Sequence, residues 1–207
     1  AGLPAELATR FETVKQRCQA LARLSEGLAN PVGPPGEPAQ PMFLADSRDE
    51  GLDRLLWMHL RMLANLHVLD QFLRATPDAQ IRSDIARLER RLAELASGPG
   101  EVGHAGRLRE TFEDDLATAR ARLANRDKAA ANRELLEAEL DRLETKIASL
   151  SELAVQRQDP SVLTTQIDQA AAGLLATEET MNELRLVAVP DLSLDEPPAI
   201  LRQRQRQ

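Results

Sequence analysis

The chain has 207 residues, of which 2% are aromatic and 29% are charged, and its formal net charge is −7. With so few large side chains, and with apolar residues that are mostly Ala and Leu, the composition favours long helices that meet along narrow seams. The negative charge excludes a whole-chain attraction to nucleic acid or to anionic lipid, so no nucleic-acid partner is expected.

Cysteine use and hydropathy limit where the protein resides. The single cysteine, Cys18, excludes an internal disulfide framework and fits the reducing cytoplasm, although a periplasmic protein or a membrane-tethered fragment would look the same. No signal peptide is visible, and no uninterrupted apolar stretch is long enough to span a bilayer. The first residue is Ala1 rather than Met, as expected for a processed or excised fragment.

The first predicted element is an N-terminal helix in residues 1–29, followed by a linker in residues 30–46. The helix is predicted by apolar residues at heptad spacing, among them Leu7, Phe11, Val14, Cys18 and Leu21. Five Pro and two Gly between Asn30 and Pro41 exclude a helix there and predict a semi-extended spacer.

The second predicted helix starts after Asp46 or Ser47, either of which can cap it, and ends near Ala75. It is apolar nearly all round, which is typical of a helix buried on several sides. Either it lies centrally among the other helices, or part of it binds a partner. In the second case the candidate partner-binding residues are Leu56, Trp57, Leu60, Leu63, Leu66 and Phe72.

The third predicted helix begins at Thr76-Pro77-Asp78 and ends at Ser97. A heptad seam runs along it through Ile81, Ile85, Leu88, Leu92 and Leu95. The glycines at 98, 100, 103 and 106 around His104 predict a flexible turn into the next helix.

The fourth predicted helix, from Arg107 to Gln158, contains no Pro or Gly and would be roughly 75–80 Å long. Its predicted seam follows the same heptad spacing through Leu108, Phe112, Leu116, Ala119, Leu123, Arg126, Ala130, Arg133, Leu136, Leu140, Leu143, Ile147, Leu150 and Ala154. The polar middle at 124–134 leaves three alternatives: an exposed rod, a hinge, or a break that divides the helix in two.

The last predicted helix follows Asp159-Pro160, carries seam residues from Leu163 to Leu184, and ends at Pro190. Because short connections favour antiparallel neighbours, the third helix should lie against Leu108–Leu123 and the last against Leu136–Leu150. The sequence thus predicts an all-α, elongated antiparallel bundle or coiled coil of about five helices with one long spine helix. The bundle would occupy residues 47–189, and a disordered tail residues 190–207.

No motif predicts catalysis or a cofactor. His59 and His67 point in different directions on one helix, and the Glu101–His104 pair has no second copy to form a metal site. Residues 98–103 match the letters of a dinucleotide-binding loop, but they follow a helix rather than a strand. We therefore expect a non-enzyme with no catalytic residues, no cofactor, no metal and no small-molecule substrate.

Two functions remain from different classes. The first is a helical scaffold or adaptor that mediates protein–protein interaction or oligomerisation, with itself as a homodimer or with another helical protein. The alternative is a peripheral helical bundle that associates with a membrane or remodels it. That alternative needs a basic face, which the sequence does not show, so membrane contact is the less favoured expectation.

Overall fold

The structure, a computed structural model, describes residues 3–29, 43–97, 102–155 and 160–173. These residues form five α-helices and no strand: α1 (Ala5–Ala29), α2 (Phe43–Ala75), α3 (Asp78–Ser97), α4 (Val102–Val155) and α5 (Pro160–Ala172). The predicted all-α bundle of about five helices, with one long helix packed against the others, is confirmed. Among the described residues, no helix is both long enough and apolar enough to cross a membrane.

The start of α2 differs from the prediction. The helix begins at Phe43, so Asp46 and Ser47 lie inside it and neither is its cap. The sequence between Pro41 and Gly51 contains no Pro or Gly, so the helical hydrogen bonds can continue back past both residues. A capping residue type favours a helix start but does not impose one.

The long helix is continuous and begins earlier than predicted. It runs unbroken from Val102 to Val155, so the break considered at 124–134 is absent. Gly103, His104 and Gly106, predicted to lie in a flexible turn, belong to its first turns. A helical glycine costs only about 1 kcal/mol, which a continuing helix can tolerate.

The last helix is described only in its first part. α5 ends at Ala172 and Gly173 lies in a turn, whereas Leu174 and later seam positions, and the end at Pro190, lie outside the described residues. The predicted linker is likewise described only from Phe43 onward, and the tail at 190–207 not at all. The predicted domain boundaries therefore stay predictions.

The chain forms two compact units. In unit 1, α1, α2 up to His67, α4 from Leu136 and α5 enclose an apolar core. Phe11 stacks on His59, and the charge of Asp53 acts on Cys18, so α1 runs antiparallel to α2. The fully buried core residues include Leu21, Leu52, Leu55, Leu56, Met58, Met62, Leu63, Leu140, Ile147 and Ile167.

Unit 2 is built from the end of α2 after His67, from α3, and from α4 up to Leu135. Glu89 of α3 pairs with Arg120 of α4 at 2.8 Å, and the guanidinium of Arg91 lies over the Phe112 ring. The two helices are antiparallel, because a later residue of α3 contacts an earlier residue of α4. This packing agrees with the predicted contact between the third helix and Leu108–Leu123.

Candidate functional site

The heptad seam of α4 is covered to different extents in the two units. In unit 1 every seam residue from Leu136 to Ala154 is at most 4% exposed. In unit 2 only Leu116 and Ala119 of the predicted apolar seam residues are buried, at 8% and 6% exposed. The same helix with the same periodicity is therefore enclosed in one unit and only half covered in the other.

The half-covered residues of unit 2 form what we call the open seam. It consists of the half-buried apolar residues at the seam positions of α3 and α4: Ile85, Leu88, Leu92, Leu95, Leu108, Phe112 and Leu123. The α3–α4 pairing covers its heptad seam unevenly: Ile81, Leu116 and Ala119 are buried, whereas these seven side chains stay partly exposed. The open seam is thus an apolar strip that a further helix could cover.

Ion pairs lie along one edge of the open seam. Arg120 of α4 donates a hydrogen bond to Glu89 of α3 at 2.8 Å, and both side chains are exposed. Arg82 of α3 is hydrogen-bonded to Asp78 of its own helix, and the negative charge of Asp127 on α4 also acts on it. Exposed pairs of this kind contribute little to stability, so they define register and orientation more than affinity.

The six residues predicted to bind a partner lie elsewhere. Leu56, Trp57, Leu63 and Leu66 are buried in unit 1, with Trp57 the most exposed of the four at 6%. Leu60 of unit 1 and Phe72 of unit 2 are half-buried. This arrangement corresponds to the central position considered for the second helix. Their role in partner binding stays a prediction, and for the four buried residues it would require unit 1 to open.

A partly buried polar cluster, made of Arg10, His59 and Glu144, was not predicted. Nε2 of His59 lies 2.8 Å from Oε1 of Glu144, and Nε of Arg10 donates to the same oxygen at 2.6 Å. Arg10 also pairs with Asp141 and, at 3.5 Å, with Glu137. The three acids recur every three or four residues on α4, so they form one stripe facing α1.

The environment of the cluster sets its protonation. His59 is fully buried, and its burial lowers its pKa despite the opposing hydrogen bond to Glu144. Burial acts to raise the pKa of Glu144, but hydrogen bonds from Arg10 and His59 outweigh it and lower the pKa. The arrangement therefore favours a neutral imidazole beside an ionised carboxylate.

The cluster is suited to holding helices together. Because His59 is enclosed, it would meet a substrate only if unit 1 opened. Its Nδ1 is buried and has no hydrogen-bond partner among the residues that the structure describes. No group of three or more His, Cys, Asp or Glu within the described residues could hold a metal ion. The expectations of no enzyme activity and no cofactor stay predictions.

Only weak evidence for this cluster is present in the sequence. Arg10 and Glu144 are polar residues next to apolar seam positions, where charges often pair between helices. They are separated by 134 residues in the chain, so the pairing required knowledge of which helices are neighbours. The spacing of histidines and carboxylates within one helix could not predict a contact between different helices.

Unit 1 also carries an open cleft between α4 and α5. Its volume is about 270 Å³, and it is lined by Lys146, Ser149, Leu150, Gln166, Gln169 and Ala170. Sites that enclose small molecules are usually about 300–1,000 Å³ and mostly apolar. The cleft therefore does not provide a specific reason to expect a small-molecule substrate.

Comparison with known proteins does not assign the chain to a family. It matches no protein-family model, no curated protein and no solved structure.

Proposed function

We propose that the protein is a non-enzymatic helical scaffold or adaptor whose open seam binds a helix of another copy or of another protein. The observation that supports the proposal is that the seam of α4 is covered to different extents in the two units. This seam is at most 4% exposed from Leu136 to Ala154, but the open seam of unit 2 is only half covered. A helix laid along the open seam would give it the coverage that the other helices give the seam in unit 1.

The energetics favour a helical partner for this strip. Removing apolar surface from water contributes about 25 cal/mol per Å², so the apolar surface that the open seam still exposes is a source of binding free energy. Their heptad spacing matches the side chains of a helix, which would insert between them as knobs into holes. Phe112 and the leucines of α3 are the side chains that such a partner would contact.

A cytoplasmic location is part of the proposal and is supported by the cysteine content. The one cysteine, Cys18, is a buried free thiol rather than half of a disulfide. Buried free thiols are common in proteins from reducing compartments.

Site-specific photo-crosslinking tests the proposal. A photoreactive amino acid replaces Leu92, a residue of the open seam, in the full chain expressed in its native host. The matched control carries it at Arg90, which is exposed on the opposite side of α3. We expect crosslinks to a helical protein, or to the chain itself, from position 92 and few from position 90.

The same proteins are then mixed with anionic and with neutral vesicles, and their sedimentation is measured at low and at moderate salt. A scaffold with a net charge of −7 should stay in solution with both. Equal crosslinking from both positions would contradict the proposal. Salt-sensitive sedimentation with anionic vesicles, without crosslinks to protein, would replace it with the membrane alternative.

A further inference from the structure

We infer that α1 is a releasable arm of unit 1: protonation of His59 detaches α1 while α2 and α4 stay packed together. The inference goes beyond the proposed function, because it concerns unit 1 and does not involve the open seam. It is carried by the surroundings of the His59 ring, which is fully buried and contacts both α1 and α4.

The two ring nitrogens of His59 have different surroundings. Nε2 lies 2.8 Å from Oε1 of Glu144, and an ionised carboxylate can only accept, so Nε2 carries the proton of the neutral ring. Nδ1 is buried, and no described residue forms a hydrogen bond with it. Protonation turns Nδ1 into a second donor. The buried ring then carries a charge and an N–H group without an acceptor, which is a costly combination.

The charged groups that act on His59 oppose each other. Glu144 of α4 attracts the protonated ring, whereas Arg10 of α1 repels it, and both residues use the same carboxylate oxygen. Arg10 also pairs with Asp141 and Glu137 of α4. Burial outweighs the attraction of Glu144, so the pKa of His59 is lowered. The protonated ring is therefore favoured in a conformation that admits water.

α1 is the helix that can admit water to this ring. The Phe11 ring stacks on His59 with centroids 6.1 Å apart, and Nε of Arg10 donates to Oε1 of Glu144 at 2.6 Å. Both contacts come from one turn of α1, so withdrawal of α1 uncovers the ring and removes the neighbouring positive charge together. The contact between His59 and Glu144 joins α2 to α4 and can remain, now as a charge-assisted pair.

α1 is anchored more weakly than α2. Its buried apolar side chains among the described residues are Val14, Cys18 and Leu21, of which only Leu21 is large. α2 contributes more large side chains to the core of unit 1: Leu52, Leu55, Leu56, Met58, Met62 and Leu63. Residues 30–42 connect the two helices and are long enough to let α1 move away. α1 can therefore leave with a smaller loss of buried apolar surface than α2.

Release of α1 uncovers an apolar side of α2. Asp53 and His59 both lie towards α1, because Asp53 acts on Cys18 and His59 stacks on Phe11. Leu56 lies three residues from each of them, which places it on the same side of the helix. Leu56 is 0% exposed in the closed structure and is one of the residues predicted to bind a partner. Acid thus makes part of that predicted site accessible.

Hydrogen exchange of the full chain, followed by mass spectrometry of its peptides, tests the inference. Protection is compared at about pH 7.5 and about pH 5, after correction for the intrinsic pH dependence of amide exchange. Since the attached state has the lower His59 pKa, attachment is strongest above about pH 6.5 and weakens up to tenfold per pH unit below it. We expect α1 to lose protection by up to about thirtyfold. Peptides of α2 before His67 and of α4 after Leu135 should stay protected.

Two pairs of variants assign the effect. His59→Phe removes the titrating ring, so α1 should be equally protected at both pH values. Its control, His67→Phe, changes a half-buried histidine of the same helix and should keep the wild-type fall. Arg10→Gln removes the ion pairs of α1, so protection of α1 should already fall about fivefold or more near pH 7.5. Its control is Arg17→Gln, an exposed residue of α1, which should behave like the wild type.

Three results would overturn the inference. They are full protection of α1 near pH 5, simultaneous loss of protection in α1, α2 and α4, and a His59→Phe protein that loses α1 protection as the wild type does. Circular dichroism near pH 7.5 shows whether each variant folds. If His59→Phe does not, the second pair decides: equal protection of α1 in Arg10→Gln and Arg17→Gln would also overturn the inference.

Discussion

Nε2 of His59 on α2 lies 2.8 Å from Oε1 of Glu144 on α4, and the two residues are separated by 85 positions in the chain. Arg10 of α1 donates to the same carboxylate oxygen. One side chain of α4 thus connects to two other helices of unit 1. The cluster should fix which helices are neighbours there, since apolar heptad seams alone do not distinguish one partner from another.

Removing the carboxylate at the centre of the cluster should destabilise unit 1. In Glu144→Leu, Nε2 of His59 and Nε of Arg10 lose a shared acceptor, so we expect the free energy of unfolding to fall by about 1–3 kcal/mol. Glu144→Gln keeps a neutral acceptor and should cost less. The matched control is Glu152→Leu, an exposed residue of the same helix, and urea denaturation gives the comparison. Equal effects at 144 and 152 would contradict the role of the cluster.

Acid should weaken the fold through His59. Burial lowers its pKa below the ordinary 6.5, so the unfolded chain binds the proton more readily than the folded chain. The free energy of unfolding should therefore be highest above about pH 6.5 and fall as the pH drops from there towards the folded pKa. Urea denaturation at several pH values measures this slope. His59→Phe should flatten it, and an unchanged slope would assign the pH dependence to other groups.

A further loss of stability is expected at lower pH. The pKa of Glu144 lies below its ordinary 4.5, because hydrogen bonds from Arg10 and His59 outweigh the effect of burial. The stability from its ionised form should be present above about pH 4.5 and be lost as the pH falls through the folded pKa. Comparing His59→Phe with Glu144→Gln separates the two windows.

A charge in the core of α2 should unfold unit 1. Leu63 is 0% exposed, so Leu63→Asp buries an unpaired carboxylate and should cost more than about 4 kcal/mol. Leu24 of α1 is 41% exposed, so Leu24→Asp should change stability by less than about 0.5 kcal/mol. Thermal unfolding followed by circular dichroism checks both. A folded Leu63→Asp protein with normal stability would show that this side chain is not needed in the core.

Two helical glycines should respond oppositely to alanine. Around Gly106 no atom lies within 4 Å of an added Cβ, so Gly106→Ala should stabilise the helix by about 0.5–1 kcal/mol. At Gly51 the added Cβ would lie 2.8 Å from Cγ2 of Ile167, and overpacking should cost about 1–2 kcal/mol. In an Ile167→Ala background, Gly51→Ala should become stabilising. Additive effects of the two changes would contradict the predicted close contact.

The single cysteine should report the opening of unit 1. Cys18 is 0% exposed, and burial together with the charge of Asp53 raises its pKa to about 12. The folded protein should therefore react very slowly with a thiol reagent at neutral pH, since the thiolate is the reactive form. Urea should accelerate the reaction in parallel with unfolding. Immediate stoichiometric labelling of the folded protein would contradict the burial of this thiol.

The periodicity of the sequence was sufficient to predict the helices and the side of α4 that packs. Every predicted seam residue of α4 from Leu108 to Ala154 is buried or half-buried, including Arg126 and Arg133. Heptad spacing makes this prediction reliable because it depends only on local helical geometry. The ends of helices were less predictable: Asp46, Ser47 and the glycines near His104 suggested boundaries that lie inside α2 and α4.

The sequence by itself determined a set of long helices, the stripe that each one buries, and the shortage of aromatic side chains. Tertiary structure decided which stripes would be enclosed. Leu140 and Ile147 are fully buried in unit 1, while Leu92 and Phe112 keep one side open in unit 2. The heptad spacing is the same in the enclosed seam of unit 1 and in the open seam of unit 2, because periodicity specifies a packing face but not the number of helices that cover it. Only the arrangement of helices could join Arg10, His59 and Glu144 and leave the open seam half covered.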